Sequence, residues 1–319
     1  MRFVFRADAS VKIGAGHVMR SSVIAEEAIS QGIECIFVGE IADLSWLSNR
    51  INNLGYSQII GNFEHFKQNP STDILIIDSY SIKVNNQFLN QSRWLKVVNV
   101  FDELTPNYVC DLRIHPGVSG DWITNDEFKT LSGSKYIPIR KSISGNKKIF
   151  ESNPIEIVVV GGGADTNNFV SSIAKVLVNS SEEFHANLFT NNSFLELNDQ
   201  RFSIVPIGLT FDKFAVKADL VFTTASTTSL EFIARGCAVG IGCSTDNQDL
   251  YYDQLGSMKI AMQVGRFIDP VWQIDVEAVM EMVKSKEDRQ LLKSNSKNLI
   301  DLNGAVRIVD SIRNLLFVS

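Results

Sequence analysis

The sequence predicts an α/β protein of two doubly wound domains, each a parallel sheet covered by helices. Strand-length apolar runs alternate with helix-periodic segments from the first residues onward, the rhythm of β-α-β units. A polar, turn-rich stretch between 113 and 150 interrupts that rhythm. A strand–glycine loop–helix opening near the N-terminus then recurs from 155, as architecture and not as repeated sequence. A chain of 319 residues suits two domains of ordinary size.

The first strand is the apolar run Phe3–Phe5, and helical periodicity spans Val18–Ile29. The loop between them carries Asp8, Gly14, Gly16 and His17, with Arg20 one turn into the helix. Gly14 and Gly16 permit unusual dihedrals and close approach of the backbone to a ligand. His17 opens the helix. The free N–H groups there suit an anion and disfavour an imidazolium, which leaves the neutral form that a general base needs. A structural loop satisfies the same residues. Met19 stands where a dinucleotide fingerprint would place its third glycine, and no Gly-Lys-Ser/Thr follows, so neither that motif nor a P-loop is present.

Further strands are read at Cys35–Val38, Ile74–Ile77 and Val97–Val100, with helices over Leu44–Leu54 and Val84–Ser92. Asp8, Asp78 and Asp102 end strands. At the carboxyl edge of a parallel sheet they either meet in one cleft or serve as caps and turn residues. Pro116-Gly117, Ser119-Gly120 and Ser132-Gly133-Ser134 signal turns, and the basic run Ser144-Gly145-Asn146-Lys147-Lys148 reads as a linker. The expected domains are therefore 1–148 and 149–319.

In the second domain the unbroken run Ile155–Val160 suits a strand buried on both faces, followed by Gly161-Gly162-Gly163. A strand from Leu220 leads through Ser226, Thr227, Thr228 and Ser229 into a helix, placing hydroxyls and amides where an anion can be cradled. Glu231 is read on the first turn of that helix, either accepting from ribose hydroxyls or simply complementing the dipole. Gly236 ends the helix. A short strand, Ala238–Ile241, leads to the loop Gly242–Asp249. Val276–Val283, Asp288–Leu302 and Ala305–Leu316 are amphipathic helices expected to pack across the domain junction.

A net charge of −6 argues against a nucleic-acid partner, and no apolar run reaches the length of a membrane span. No secretory signal is read at the N-terminus. Cys35, Cys110, Cys237 and Cys243 show no C-x-x-C spacing and read as buried thiols of a reducing cytosol. His17, His65, His115 and His185 have no metal-ligand spacing.

Taken in order, these motifs resemble the PseG/SpsG family of UDP-sugar hydrolases over nearly the whole length. The specific part is Arg6-x-Asp8-x-Ser10 with Ile13-Gly14-x-Gly16-His17-x-x-Arg20. Ile77-Asp78-x-Tyr80, Asp102-Glu103, Cys110-Asp111 and Ser132-Gly133-x-x-Tyr136 with Arg140 follow it. Gly161-Gly162-Gly163-x-Asp165, Ala225-Ser226-Thr227 with Glu231, and Asn247-Gln248 complete the order. The resemblance implies a glycosyltransferase-B-like fold, two Rossmann-like domains with an interdomain cleft. It implies inverting, metal-independent hydrolysis of a UDP-linked deoxy-acetamido sugar at the anomeric carbon, for pseudaminic acid or other surface-glycan biosynthesis. Carried onto this chain, His17 is the general base and Asn247 helps orient it or the sugar. Asp8 and Asp78 orient sugar hydroxyls or the water. Gly14, Gly16, Arg20 and Tyr80 face the substrate. Gly162, Gly163, Ser226, Thr227, Thr228 and Gln248 contact it in the nucleotide half, with Glu231 on the ribose. The implied enzyme is cytoplasmic, a monomer or weak homodimer, with a small-molecule UDP-sugar as partner and no cofactor. The chain departs from the family pattern at Ser79, where histidine is frequent, at Arg113-Ile114-His115-Pro116, and at Phe101 before Asp102. These changes fall in the sugar-facing half and leave the sugar open. A glycosyltransferase of the same fold using a sugar or lipid acceptor, or a non-catalytic UDP-sugar-binding relative, are the alternative readings.

Overall fold

Among the described residues, the alternating pattern forms two seven-stranded sheets and a two-stranded pair. The computed structural model describes residues 1–80, 82–83, 86–102, 108–118, 129–143, 150–191, 198–208 and 210–317. The chain divides into two units, Met1–Ile139 with Asp301–Ser319, and Arg140–Ile300.

In the first unit, β1 (Arg2–Ala7), β2 (Ala9–Ser10), α1 (Gly16–Ser30), β3 (Glu34–Val38), β4 (Ile41–Ala42), α2 (Ser45–Asn53) and β5 (Gln58–Ile60) come first. Then come β6 (Asp73–Asp78), β7 (Lys96–Val100), β8 (Leu112–His115) and β9 (Thr130–Ser132). The sheet order is β5-β3-β1-β6-β7-β8-β9, every pairing parallel. The chain winds outward from β1 through β3 to β5 and then returns to β6 on β1's other side. The ends of β1 and β6 therefore form a topological switch point, where open α/β sheets bind ligands. Registry Ala7↔Asp78 puts those two ends side by side. Alternate residues face a core of Val4, Ile36, Leu75, Ile77 and Val97 under Phe66, Phe88 and Trp94. The other face packs on α1.

The second unit repeats the plan with β10 (Ile155–Val160), α3 (Phe169–Leu177), β11 (Phe184–Phe189), β12 (Phe202–Val205), α4 (Phe211–Ala215), β13 (Leu220–Thr224) and α5 (Thr227–Arg235). It continues with β14 (Ala238–Cys243), α6 (Asp249–Ser257), β15 (Met262–Ile268), β16 (Val271–Ile274), α7 (Val276–Lys284) and α8 (Lys286–Asn295). The order is β12-β11-β10-β13-β14-β15-β16, parallel except for the final β15–β16 hairpin. Its switch point lies between β10 and β13, where Val160 pairs with Thr223. The glycine loop and the Ser/Thr turn thus leave the sheet next to each other.

The last helix, α9 (Gly304–Asn314), belongs to the first unit, where it packs on α1. The unit division falls at 139/140, whereas the expected linker, 144–148, lies outside the described residues along with Ser119, Gly120 and Glu103.

Three local expectations change. Instead of an α-helix over Val84–Ser92 there are single 3-10 turns at Gln87–Leu89 and Gln91–Arg93, with Val84 outside the described residues. The side-chain carbonyls of Asn86 and Asn90 accept the Phe88 and Ser92 N–H groups, a local alternative that competes with helix propagation. The helix read as Asp288–Leu302 is Lys286–Asn295. Ser285 Oγ accepts the Asp288 N–H to start it, and Asn298 beyond its end adopts a left-handed conformation. Glu231 lies past the first turn of α5, which carries no acidic residue.

All four cysteines are buried free thiols. Among the described residues, no helix is long and apolar enough to cross a membrane, and no three metal-ligating side chains cluster.

Candidate active site

The loop that carries His17 is closed on itself. Gly14 donates its N–H to the Ser10 carbonyl at 2.7 Å and takes a φ of 87°, which favours glycine. Ile13 N–H donates to Ser10 Oγ at 3.0 Å. The turn delivers the chain to α1 with Gly16 as its first residue and His17 as its second. Ala15 gives no side-chain cap and the first turn holds no acidic residue.

His17 is 6% exposed, and its Nδ1 lies 2.5 Å from Oδ1 of Asp78, which is fully buried at the end of β6. Arg20, one turn further along α1, grips the same carboxylate with Nε on Oδ2 at 2.5 Å and Nη2 on Oδ1 at 2.6 Å. Burial alone would push the Asp78 carboxyl up, but the Arg20 and His17 interactions together outweigh it and hold it below the ordinary range. An ionised Asp78 only accepts, so Nδ1 is the donating nitrogen, and in the neutral ring the lone pair sits on Nε2. None of the ring's hydrogen bonds among the described residues uses Nε2. Arg20 Nη2 also lies 3.4 Å from Asp102 Oδ2, which accepts the Tyr80 hydroxyl at 2.5 Å. The Tyr80 ring stands edge-on to the imidazole with centroids 4.3 Å apart.

Asp78 and Asp102 come together around Arg20 at one sheet edge. Asp8 turns elsewhere: it pairs with Arg6 Nη1 at 2.5 Å and accepts the Glu40 N–H at 2.9 Å, fastening the end of β1 to the segment after β3. Arg20 is engaged by carboxylates, and Asp78 orients His17.

In the second unit, Gly162 follows β10 with a φ of 79°, and a Cβ at Gly161 would run into the Asp165 carboxyl. Asp165 is 8% exposed, and burial pushes its carboxyl up to about 7 even though the Val170 and Phe169 N–H groups favour the charged form. Beside this loop, Ser226 starts α5 from extended backbone with no side-chain cap, and Ser229 Oγ donates to the Ser226 carbonyl at 2.7 Å. Ser226, Thr227 and Thr228 are partly exposed there, an N-terminal amide cluster suited to an anion. Glu231 is taken by Arg140, Nε on Oε1 at 2.6 Å and Nη2 on Oε2 at 2.8 Å. Arg140 is 1% exposed and also holds Asp212 at 2.9 Å. Burial works against this cation, but Glu231 and Asp212 push its pKa up.

The third loop is braced internally. Gln248 Oε1 accepts the Ser244 N–H at 2.9 Å, and Asn247 Oδ1 accepts the Thr245 hydroxyl at 2.5 Å. Asn167 Nδ2 donates to the Ser244 carbonyl at 3.0 Å, joining this loop to the glycine loop. Gly162, Gly163, Ser226, Thr227 and Thr228 thus gather at one switch point, with Asn247 and Gln248 on the loop after β14. His17, Asp78, Arg20 and Tyr80 gather at the other. Sequence reasoning gave no role to Arg140 or Asp212. Their opposite charges were visible, but nothing in the spacing links positions 140, 212 and 231.

No family model matches the chain. One curated relative, a "UDP-2,4-diacetamido-2,4,6-trideoxy-beta-L-altropyranose hydrolase" of Campylobacter jejuni, is 24% identical over 185 residues, 56% of this chain and 66% of the relative. The chain therefore spans just under two thirds of that protein's length. Among solved structures, MurG of Acinetobacter baumannii superposes with a TM-score of 0.64 at 15% identity, covering 98% of this chain and all of that one. The glycotransferase of kitacinnamycin gives 0.67 at 12% identity, covering 99% of each chain. Arabidopsis thaliana UGT89C1 complexed with UDP gives 0.68 at 9% identity, covering 98% of this chain and 99% of that one. The fold is glycosyltransferase-B-like, with two Rossmann-like α/β domains.

Proposed function

We propose that this protein is an enzyme that uses a UDP-linked sugar and breaks the bond from the anomeric carbon to the diphosphate. The observation that carries this is the His17–Asp78 pair, a buried carboxylate that fixes the ring tautomer and leaves Nε2 as the proton acceptor. An oxygen nucleophile attacks the anomeric carbon while Nε2 takes its proton. The electron pair of the broken C–O bond leaves on UDP, and a single displacement inverts the centre. Asp78 stabilises the imidazolium that forms. The amides that begin α5 and follow β10 are suited to receive the leaving diphosphate. The choice of UDP takes its support from the curated relative's name and from the complex of UGT89C1 with UDP.

Two nucleophiles fit this chemistry. An acceptor hydroxyl, making the protein a glycosyltransferase, is supported by glycosyltransferase structures that match the chain nearly end to end. Water, making it a hydrolase that frees a deoxy-acetamido sugar for surface-glycan biosynthesis, is supported by the curated relative.

The test is UDP release from UDP-2,4-diacetamido-2,4,6-trideoxy-β-L-altropyranose and other UDP-sugars, with and without sugar or lipid acceptors. Release without acceptor assigns water, and release that requires acceptor assigns transfer. His17→Ala is expected to slow release by about 10²–10⁴-fold with UDP binding retained. An equal loss of binding would remove the base assignment.

A further inference from the structure

We infer that Arg20 balances the charge of the His17–Asp78 pair and positions it, with Asp102 and Tyr80 as its anchor, and is not a ligand for the substrate's phosphates. This rests on the reading of His17 as the base. The guanidinium is buried and spends Nε and Nη2 on the two oxygens of Asp78, at 2.5 and 2.6 Å. The same Nη2 lies 3.2 Å from His17 Nδ1. Since Nδ1 must donate to Asp78, this contact sets one donor against another. A second proton on His17 would then place two cations side by side.

The arrangement answers a problem that a lone His–Asp pair creates. A buried carboxylate 2.5 Å from Nδ1 fixes the tautomer but also draws the ring toward imidazolium, which has no lone pair left to accept a proton. Sharing Asp78 with Arg20 keeps the orientation and offsets the attraction. Asp102 sets the size of that offset. It lies 3.4 Å from Nη2 and is fixed by the Tyr80 hydroxyl, so it supplies a second negative charge that tempers Arg20. Several charged and titratable groups among the described residues face His17 and its partners. They include Arg20 on α1, Asp78 at the end of β6, Tyr80 two residues beyond it, and Asp102 after β7.

The test is an NMR titration of the histidine ring signals of the full chain, with His17 assigned by its loss in His17→Asn. In Arg20→Gln the His17 midpoint is expected to rise by about one pH unit or more. In Asp102→Asn it is expected to fall, and Arg20→Lys, which keeps the charge, is expected to stay closest to wild type. Midpoints unmoved in both Arg20→Gln and Asp102→Asn would overturn the inference. If Arg20→Gln does not fold, Asp102→Asn decides alone, because it leaves the Arg20–Asp78 fork in place. An unmoved or raised midpoint there overturns the inference. UDP affinity, measured by calorimetry, is expected to change less than about threefold in Arg20→Lys, and a tenfold loss would overturn the inference and make Arg20 a ligand of the substrate. The acid limb of kcat/KM for UDP release should follow the NMR midpoints. Midpoints that move while that limb stays fixed support the charge balance and count instead against His17 as the base.

Discussion

Asp78 is the carboxylate that His17 and Arg20 share. It is fully buried and ionised, and it serves two cationic or donating partners. Replacing it with asparagine keeps the shape, strands the Arg20 charge and lets the amide present N–H to Nδ1. We expect Asp78→Asn to lower turnover by about 10⁴-fold through the wrong tautomer and to cost about 3–5 kcal/mol in urea unfolding at pH 7. The sign of the pH dependence follows from a carboxyl held low in the folded state. Its stabilisation is complete above the ordinary carboxylate value of about 3.9 and is lost as pH falls through the lower folded value. The stability gap between wild type and variant should therefore close at acid pH, and a gap unchanged from pH 7 to pH 2.5 would contradict the assignment. His17 was legible because a histidine after a G-x-G loop at a helix start is a local pattern. That Asp78 lies against the ring Nδ1 was not legible, since registry across a sheet is a tertiary fact.

Among the elements, the glycine loop after β10 carries the clearest conflict between burial and charge. Asp165 has a positive φ of 49°, sits against Gly161, and buries Oδ2 without a hydrogen-bond partner among the described residues. Burial pushes its carboxyl up to about 7 in the folded chain, against an ordinary value of about 3.9 in the unfolded chain. Between those values the folded state holds a proton that the unfolded state has released. Stability therefore falls as pH rises, by about 1.4 kcal/mol per unit, and levels off once the folded group ionises. Asp165→Asn removes the titration. From pH 5 to pH 8 the urea-unfolding stability of wild type relative to this variant is expected to drop by about 3 kcal/mol. A flat difference would mean that the carboxyl is hydrated. β1, β3, β6, β7, β10, β13 and β14 could be read from apolar runs and most helices from their periodicity, whereas short or less apolar strands such as β5, β8, β9, β12 and β16 could not. Reading failed over Val84–Ser92, where asparagine side chains capture the backbone, and at the end of α8, where Asn298 turns left-handed.

At the scale of the whole molecule, the two Rossmann-like units could be read from the repeated strand–glycine–helix opening, but the destination of the last helix could not. Its apolar stripe would fit many surfaces. In the structure α9 lies on α1, with Ala305, Ile308, Val309 and Ile312 buried and Arg313 Nη1 donating to Gln31 Oε1 at 3.2 Å. Gly304 comes so close to the Ile137 carbonyl that a Cβ there would run into it. The far end of the chain therefore completes the unit that holds His17. Burying Ile308, Val309 and Ile312 contributes roughly 1.5–3 kcal/mol each, which together approaches the whole stability of an ordinary domain, about 5–15 kcal/mol. A chain ending at Ile300 is thus expected to lose the fold of residues 1–139 while 140–300 stays intact. Limited proteolysis with mass-spectrometric mapping reads this directly. Early cuts should fall in the first unit of the shortened chain and be suppressed in the full one, whereas cuts spread evenly over both units would show that α9 stabilises more than the unit it packs on. Gly304→Val gives the same test without truncation: it should shift early cleavage toward 1–139 and leave 140–300 as resistant as in wild type.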